Sequence, residues 1–203
     1  GAGPAPAVTP CCTHDVMQRG LSVAARYRNP GITARRFTHA AFWDAVGPSL
    51  RSADLPAHEI GRSMLGREIR AVSFGHGATT VLRWSQMHGD EATATMALAD
   101  IVRFLAEATD DPLRERLRAG LSIVFVPMLN PDGAELFQRE NAAGIDINRD
   151  ARRLATPEAR VLKRLVDSLH PAFGFNLHDQ NARTRVGGRG VQSGIALEAP
   201  AYD

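Results

Sequence analysis

The spacing of apolar residues changes several times along this chain, and each spacing predicts a different element. Residues 58–75 hold two short runs of strand-forming residues around a turn near Leu65, and a third, β-branched run covers residues 79–87. After Glu91 the apolar residues recur at intervals of three and four, which predicts a helix with one face on a core. Residues 121–129 are almost wholly apolar, which is typical of a strand covered on both faces.

Capping residues mark three further helices. Thr38, Asp111 and Thr156 each stand before a helical pattern, and proline follows the last two at the first helical position. A last apolar run then predicts a buried strand that ends at His178. Because strands alternate with helices, the sequence predicts an α/β fold, a three-layer sandwich with a mixed, largely parallel central sheet flanked by helices.

Composition and charge exclude several classes of protein. Hydrophobic residues make up 44% and charged residues 23% of the chain, as in an ordinary folded protein. The net charge is +2 and the arginines are scattered, so we expect no nucleic-acid partner. We expect no transmembrane segment either, because no apolar stretch reaches the roughly 20 residues that a membrane helix needs. The cell compartment stays open.

The chain divides into two parts by composition. Residues 1–36 have little periodicity and are rich in proline, glycine and arginine, which predicts an extended or poorly ordered segment. We expect the folded domain to occupy residues 37–203. The two cysteines, Cys11 and Cys12, are adjacent in the first part, so neither a disulfide framework nor a four-thiolate zinc site is available.

Polar clusters follow the ends of three predicted strands, at residues 88–91, 130–133 and 178–180. In open α/β sheets the site lies outside the carboxyl ends of the strands. Two imidazoles and one carboxylate suit a catalytic zinc ion, and His88, Glu91 and His178 offer that set. A polar turn followed by a glutamate in the first turn of a helix explains the first pair equally well.

A second polar segment comes after the apolar run at 121–129. Asp146 and Asn148 alternate with apolar Ile145 and Ile147, as in a short extended piece that directs its polar side into a site. The turn chemistry of Asn-Pro-Asp-Gly at 130–133 does not explain this pattern.

Taken in order, these motifs resemble the zinc metallocarboxypeptidase family, whose familiar members are the pancreatic carboxypeptidases A and B. The resemblance runs from roughly residue 58 to residue 180. The segments that carry it are His88-Gly89-Asp90-Glu91, Asn130-Pro131-Asp132-Gly133, Arg139, Gly144-Ile145-Asp146-Ile147-Asn148-Arg149 and His178.

The resemblance implies a role for each matched residue and one Zn²⁺ per chain. It implies hydrolysis of the C-terminal residue of a peptide, or peptide-like substrate, with a free carboxylate. The implied zinc ligands are His88, Glu91 and His178; Asp146 orients the first histidine, Arg139 stabilises the oxyanion, and Asn148 with Arg149 binds the terminal carboxylate.

The sequence departs from the family pattern in two ways. The family's general base is a glutamate well beyond the third ligand, and Glu198 stands in a segment that does not resemble its context; Tyr202 is likewise no match for the family's mobile tyrosine. We therefore expect this chain to be the N-terminal part of a longer catalytic domain. Asp179-Gln180 and Asp150-Ala151 also replace the family's usual residues.

These departures leave two alternatives open. One is a zinc amidohydrolase of the same fold that acts on cell-wall or isopeptide amides. The other is a non-catalytic relative that binds zinc and a carboxylate.

Overall fold

The computed structural model describes residues 11–53, 55–179, 185–186 and 191–192, with side chains for 18–53 and 55–179. In this part of the chain no helix combines the length and the hydropathy that crossing a membrane requires. The helices are α1 Cys11–Arg26, α2 His39–Ser52, α3 Thr93–Glu107, α4 Pro112–Gly120, α5 Pro131–Leu136 and α6 Pro157–Leu169, with a 3₁₀ turn at Ile147–Arg149. The strands are β1 Ala57–Arg62, β2 Glu68–Phe74, β3 Thr79–Ser85, β4 Leu121–Val126, β5 Phe173–Leu177, β6 Arg185–Val186 and β7 Val191–Gln192.

The central sheet has five strands in the order β1-β2-β4-β3-β5. β2 pairs antiparallel with both β1 and β4, whereas β3 pairs parallel with both β4 and β5. β6 and β7 form a separate antiparallel pair. The predicted mixed sheet is therefore confirmed, and its three parallel strands end at the same edge.

Two apolar clusters lie on opposite faces of this sheet, because successive side chains of a strand point to opposite faces. Ile123 and Phe125 of β4 belong to a cluster with residues of α2 and α3. Val124 and Val126 belong to the other cluster, with Ala159 and Val161 of α6. Helices thus cover both faces, and the predicted three-layer sandwich is confirmed.

The predicted helix caps are present. Thr38 accepts a hydrogen bond from the amide of Ala41, Asp111 from that of Leu113, and Thr156 from that of Ala159. Each such cap typically contributes about 1 kcal/mol to stability. The capping residues in the sequence therefore suffice to predict where α2, α4 and α6 begin.

Helix α1 and strand β5 differ from the expectations. Residues 11–26 form a helix rather than an extended segment; Val23 packs against the α2–α3 cluster and Tyr27, just past the helix, is buried against Phe104 at 5.4 Å between ring centroids. These tertiary contacts stabilise a helix that the local sequence pattern does not predict. β5 was predicted to be buried, yet Phe173 is 56% exposed, because β5 is the edge strand of the sheet that the described residues form.

Candidate metal centre

The first part of the candidate site forms where the chain leaves β3. Gln86 adopts a left-handed conformation with φ 47°, which turns the chain directly after the strand. The amides of Leu129 and Asn130 donate to the carbonyls of Ser85 and Gln86, at 3.1 and 3.0 Å, so the segment after β4 lies alongside. His88 follows this turn and is 1% exposed.

The two glycine-containing motifs meet through their glycines. A Cβ atom on Gly89 would lie 2.0 Å from the carbonyl carbon of Gly133, and one on Gly133 would lie 2.6 Å from the carbonyl of Glu140. No side chain fits at either distance, so glycine is required for this close backbone approach. Asn130-Pro131-Asp132-Gly133, expected to be a turn, forms the N-cap and first turn of α5, and the segment 88–91 is thereby fixed against it.

His88, Glu91 and His178 come together in the structure. Nδ1 of His88 donates to Oε1 of Glu91 at 2.8 Å, and Nδ1 of His178 donates to Oε2 at 2.7 Å. The two imidazole rings lie 4.8 Å apart between centroids. One carboxylate therefore bridges two histidines that are far apart in sequence.

This group has the composition and the size of a zinc site. One nitrogen or oxygen atom from each of the three residues lies within 4.8 Å of the other two. Because zinc ligands stand about 2 Å from the ion, small side-chain movements would bring all three to one centre. In each hydrogen bond between a histidine and Glu91, a proton occupies the position that a bound cation would take.

Asp146 joins several groups around His88. Its Oδ1 accepts from Nε2 of His88 at 3.0 Å and from the amide of Asn148 at 2.9 Å. Its Oδ2 accepts from Nε and Nη2 of Arg139, at 3.1 and 2.9 Å. Asp146 thus holds the His88 ring with Nδ1 facing Glu91. Carboxylates commonly fix the orientation of metal-ligating histidines in this way.

Burial and nearby hydrogen-bonded or charged groups shift the pKa values of Glu91, His88 and Asp146 in opposite directions. Burial by itself would raise the pKa of Glu91, but the hydrogen bonds from His178 and His88 outweigh it and lower that pKa to about 2. Burial would lower the pKa of His88, yet its bonds to Glu91 and Asp146 raise it above the usual value. The pKa of Asp146 is lowered, since the Arg139 guanidinium outweighs the cost of burial.

The remaining predicted residues differ in how closely they approach this group. Nη1 of Arg139 lies 3.2 Å from Nδ1 of His88 and 3.4 Å from Oε1 of Glu91. Asn148 is half-buried next to Asp146, in a 3₁₀ turn rather than in the extended piece that the sequence predicts. Arg149 is exposed, and no hydrogen bond among the described residues involves its side chain.

One contacting residue was missed by the sequence reasoning. Asp179 was noted as a departure from the family pattern, but its backbone amide donates to Oε2 of Glu91 at 3.3 Å. Its carboxylate contacts Thr93 and Arg35. The signal in the sequence was an acidic residue directly after His178. Gln180, Glu198 and Tyr202 lie outside the described residues.

Comparisons with known proteins agree with the fold. A family model described as zinc carboxypeptidase matches residues 53–174. Carboxypeptidase 2 of Trichophyton rubrum is 29% identical over 106 residues, which cover 51% of this chain and 19% of that protein. The chain therefore spans about a fifth of the length of the curated relatives that it matches.

Solved structures show the same fold. A metallo-carboxypeptidase from Burkholderia cenocepacia superposes with a TM-score of 0.64 at 22% identity, over 71% of this chain and 42% of that one. A murein-tripeptide amidase from Escherichia coli superposes with a TM-score of 0.51 at 21% identity, over 63% of each chain. Since the family model matches more than half of the residues of this chain, the chain belongs to the zinc carboxypeptidase family.

Proposed function

We propose that this chain forms the metal-binding and carboxylate-binding part of a zinc metallocarboxypeptidase, which removes the C-terminal residue of peptides. The observation that carries the proposal is the grouping of His88, Glu91 and His178, whose candidate ligand atoms lie within 4.8 Å of one another. Two imidazoles and a carboxylate leave a coordination position free, which is the arrangement of catalytic zinc sites.

Under this proposal the three grouped residues hold one zinc ion. A bound zinc ion would supply Lewis-acid chemistry, polarising a carbonyl and lowering the pKa of water. Arg139 lies beside the group, where Nη1 is 3.4 Å from Oε1 of Glu91, so it would donate to the oxygen that becomes negative during hydrolysis. Asp146 would keep both Arg139 and His88 in position.

Asn148 and Arg149 would bind the terminal carboxylate of the substrate. Arg149 is exposed and presents an uncommitted guanidinium fork, within the part of the chain that the structure describes. Such a fork matches a carboxylate with two parallel hydrogen bonds. The family's general base follows the third ligand by several tens of residues, and we assign that role to none of the described residues.

The first test is the zinc content of the purified, dialysed chain. We expect about one zinc per chain in the parent and a large loss in His178→Ala. His58→Ala is the matched control, because His58 is exposed on β1 and should leave the zinc content unchanged. A folded parent without zinc would contradict the proposal.

The second test separates a carboxypeptidase from an amidohydrolase. A peptide with a free C-terminus and the same peptide with an amidated C-terminus are titrated into the zinc-loaded chain. Arg149→Ala should weaken binding of the free acid by roughly 10- to 100-fold, as expected for a hydrogen bond to a charged group, and should hardly affect the amide. Arg152→Ala, three residues further along, is the control.

An amidohydrolase that acts on cell-wall or isopeptide amides is the second candidate function. The observation that favours it is the fold that this chain shares with the murein-tripeptide amidase from Escherichia coli, over 63% of each chain. Equal binding of both peptides, unaffected by Arg149→Ala, would support this candidate over the first.

A further inference from the structure

Asp179 connects three segments that are distant in sequence. Its side chain is 11% exposed, and Oδ1 accepts from the amide of Thr93 at 3.1 Å. Oδ2 accepts from the Thr93 hydroxyl at 3.0 Å and forms an ion pair with Arg35. None of these contacts was signalled by local sequence, because the partners are 86 and 144 residues away.

Helix α3 needs a cap that its own sequence does not supply. It begins at Thr93 after Ala92, which offers no side-chain hydrogen bond to the free amides of the first turn. Asp179 supplies that bond from the far end of β5, and its negative charge is also favoured at a helix N-terminus. A residue outside the helix thus performs the capping.

The position of this cap relates it to the metal centre. Thr93 stands two residues after Glu91, and Asp179 stands directly after His178. On the sheet side, β3 and β5 are fixed to each other through the pair Ser85 and Leu177. The proposed ligands therefore lie between two connections, the strand pairing before them and the Asp179–Thr93 contact after them.

Arg35 strengthens the second connection. One nitrogen, Nη2, contacts the Asp179 carboxylate and also donates to the carbonyl of Asp90 at 3.3 Å. Asp90 precedes Glu91, so the guanidinium spans both ligand-bearing segments. The arginine itself is 57% exposed, which leaves the carboxylate as the buried member of the pair.

We propose that Asp179 is a positioning residue, which holds His178 at the separation from Glu91 that a shared metal ion requires. This inference rests on the proposed function. Without the Asp179 carboxylate, the chain beyond His178 keeps only its backbone contact with Glu91, and the strand pairing at Leu177 remains as the one other connection described above, so the third proposed ligand moves away more often. Residues that orient metal ligands typically contribute about 10- to 100-fold to metal affinity.

Cobalt(II) binding to the 203-residue chain tests this, because the visible d–d absorption of cobalt reports both affinity and coordination geometry without any need for activity. Asp179→Ala should weaken cobalt binding by about 10- to 100-fold and alter the absorption bands. Arg35→Ala, which leaves Asp179 in place, should weaken it less in the same direction. Zinc competition against the bound cobalt gives the same ranking.

Asp111→Ala is the matched control. Asp111 caps α4 through the amide of Leu113 at 2.8 Å and pairs with Arg19 at 3.0 Å, so it makes the same kinds of contact away from the metal centre. Its loss should lower the urea midpoint but leave cobalt affinity unchanged. Parent-like cobalt affinity in both Asp179→Ala and Arg35→Ala would overturn the inference and leave Asp179 a helix cap only. A folded parent that binds no cobalt would overturn the proposed function together with the inference.

Discussion

At the scale of single residues, the candidate metal centre depends most on Asp146, because one carboxylate holds three other groups. It accepts from His88, from Arg139 and from the amide of Asn148. We expect Asp146→Ala to weaken zinc binding by about 10- to 100-fold, since the His88 ring is no longer oriented. Competition with a chelating dye measures the change.

The matched control for Asp146 is Asp167→Ala. Asp167 is exposed on α6 and pairs only with Lys163 among the described residues, so its loss should leave zinc affinity unchanged. Zinc binding as tight in Asp146→Ala as in the parent would mean that packing alone orients His88.

Gly89 gives a second prediction at this scale. A methyl group at Gly89 would meet the Gly133 backbone at 2.0 Å, and backbone cannot yield as a flexible side chain does. We expect Gly89→Ala to separate the two motifs, to lower the free energy of unfolding by about 1–3 kcal/mol and to reduce zinc binding. Urea unfolding and zinc titration of the same sample measure both effects.

Gly120→Ala provides the comparison for Gly89→Ala. Gly120 ends α4, and a Cβ there meets no atom within 4 Å, so the substitution should be neutral or slightly stabilising. If Gly89→Ala were equally harmless, the close approach of the two glycines would not matter for the site.

At the scale of elements, the sequence predicts what short-range chemistry determines. Thr38, Asp111 and Thr156 cap their helices as expected, because a cap involves residues only two or three apart. Helix α1 was not predicted, since its stability comes from tertiary contacts such as the packing of Val23 against the α2–α3 cluster. The exposure of β5 was not predicted either, because burial depends on strand order, which periodicity does not report.

The candidate site divides in the same way. His88, Glu91 and His178 were predicted because each stands at a strand end and belongs to a motif of known order. The contacts of Asp179 could not be predicted from the sequence, because Thr93 and Arg35 are distant in the chain and approach it only in the folded sheet. Sequence patterns thus indicated the candidate ligands, whereas the contacts that hold these residues in place required the structure.

The loop before α6 yields a prediction about pH. Asp150 is 3% exposed and accepts hydrogen bonds from the amides of Ala155 and Thr156 and from the Thr156 hydroxyl. Burial alone would raise the pKa of Asp150, but these bonds outweigh it and hold that pKa below its usual value. Ionised Asp150 therefore stabilises the fold fully above about pH 3.9, the unfolded value, and less as pH falls through the folded pKa.

We expect Asp150→Asn to cost about 1–3 kcal/mol of stability near neutral pH, because an amide replaces one acceptor by a donor. The difference from the parent should shrink as pH falls below about 4, where the parent loses the same charge. Urea unfolding of both proteins across this pH range measures it. A difference that is constant with pH would show that the charge of Asp150 is not the cause.

At the scale of the whole molecule, the two ends of the sheet differ. β1 at one end packs against α6, while β5 at the other end has a single strand neighbour, β3, among the described residues. Phe173 and Phe175 of β5 also line an apolar cavity of about 660 Å³ between the sheet and helices α1, α3 and α4. Phe173 and Phe175 are 56% and 41% exposed, so this edge carries two neighbouring exposed apolar side chains.

An edge strand with exposed phenylalanines is a template for pairing with another chain. We expect sedimentation of the 203-residue chain to show association that increases with concentration. Phe173→Lys should shift the chain toward the monomer, because a charged side chain on an edge strand opposes such pairing. Leu136→Lys, which replaces a 63% exposed leucine on α5, should leave the association unchanged. A parent that stays monomeric at every concentration, or equal effects of the two lysines, would contradict the assignment of this edge as the associating surface.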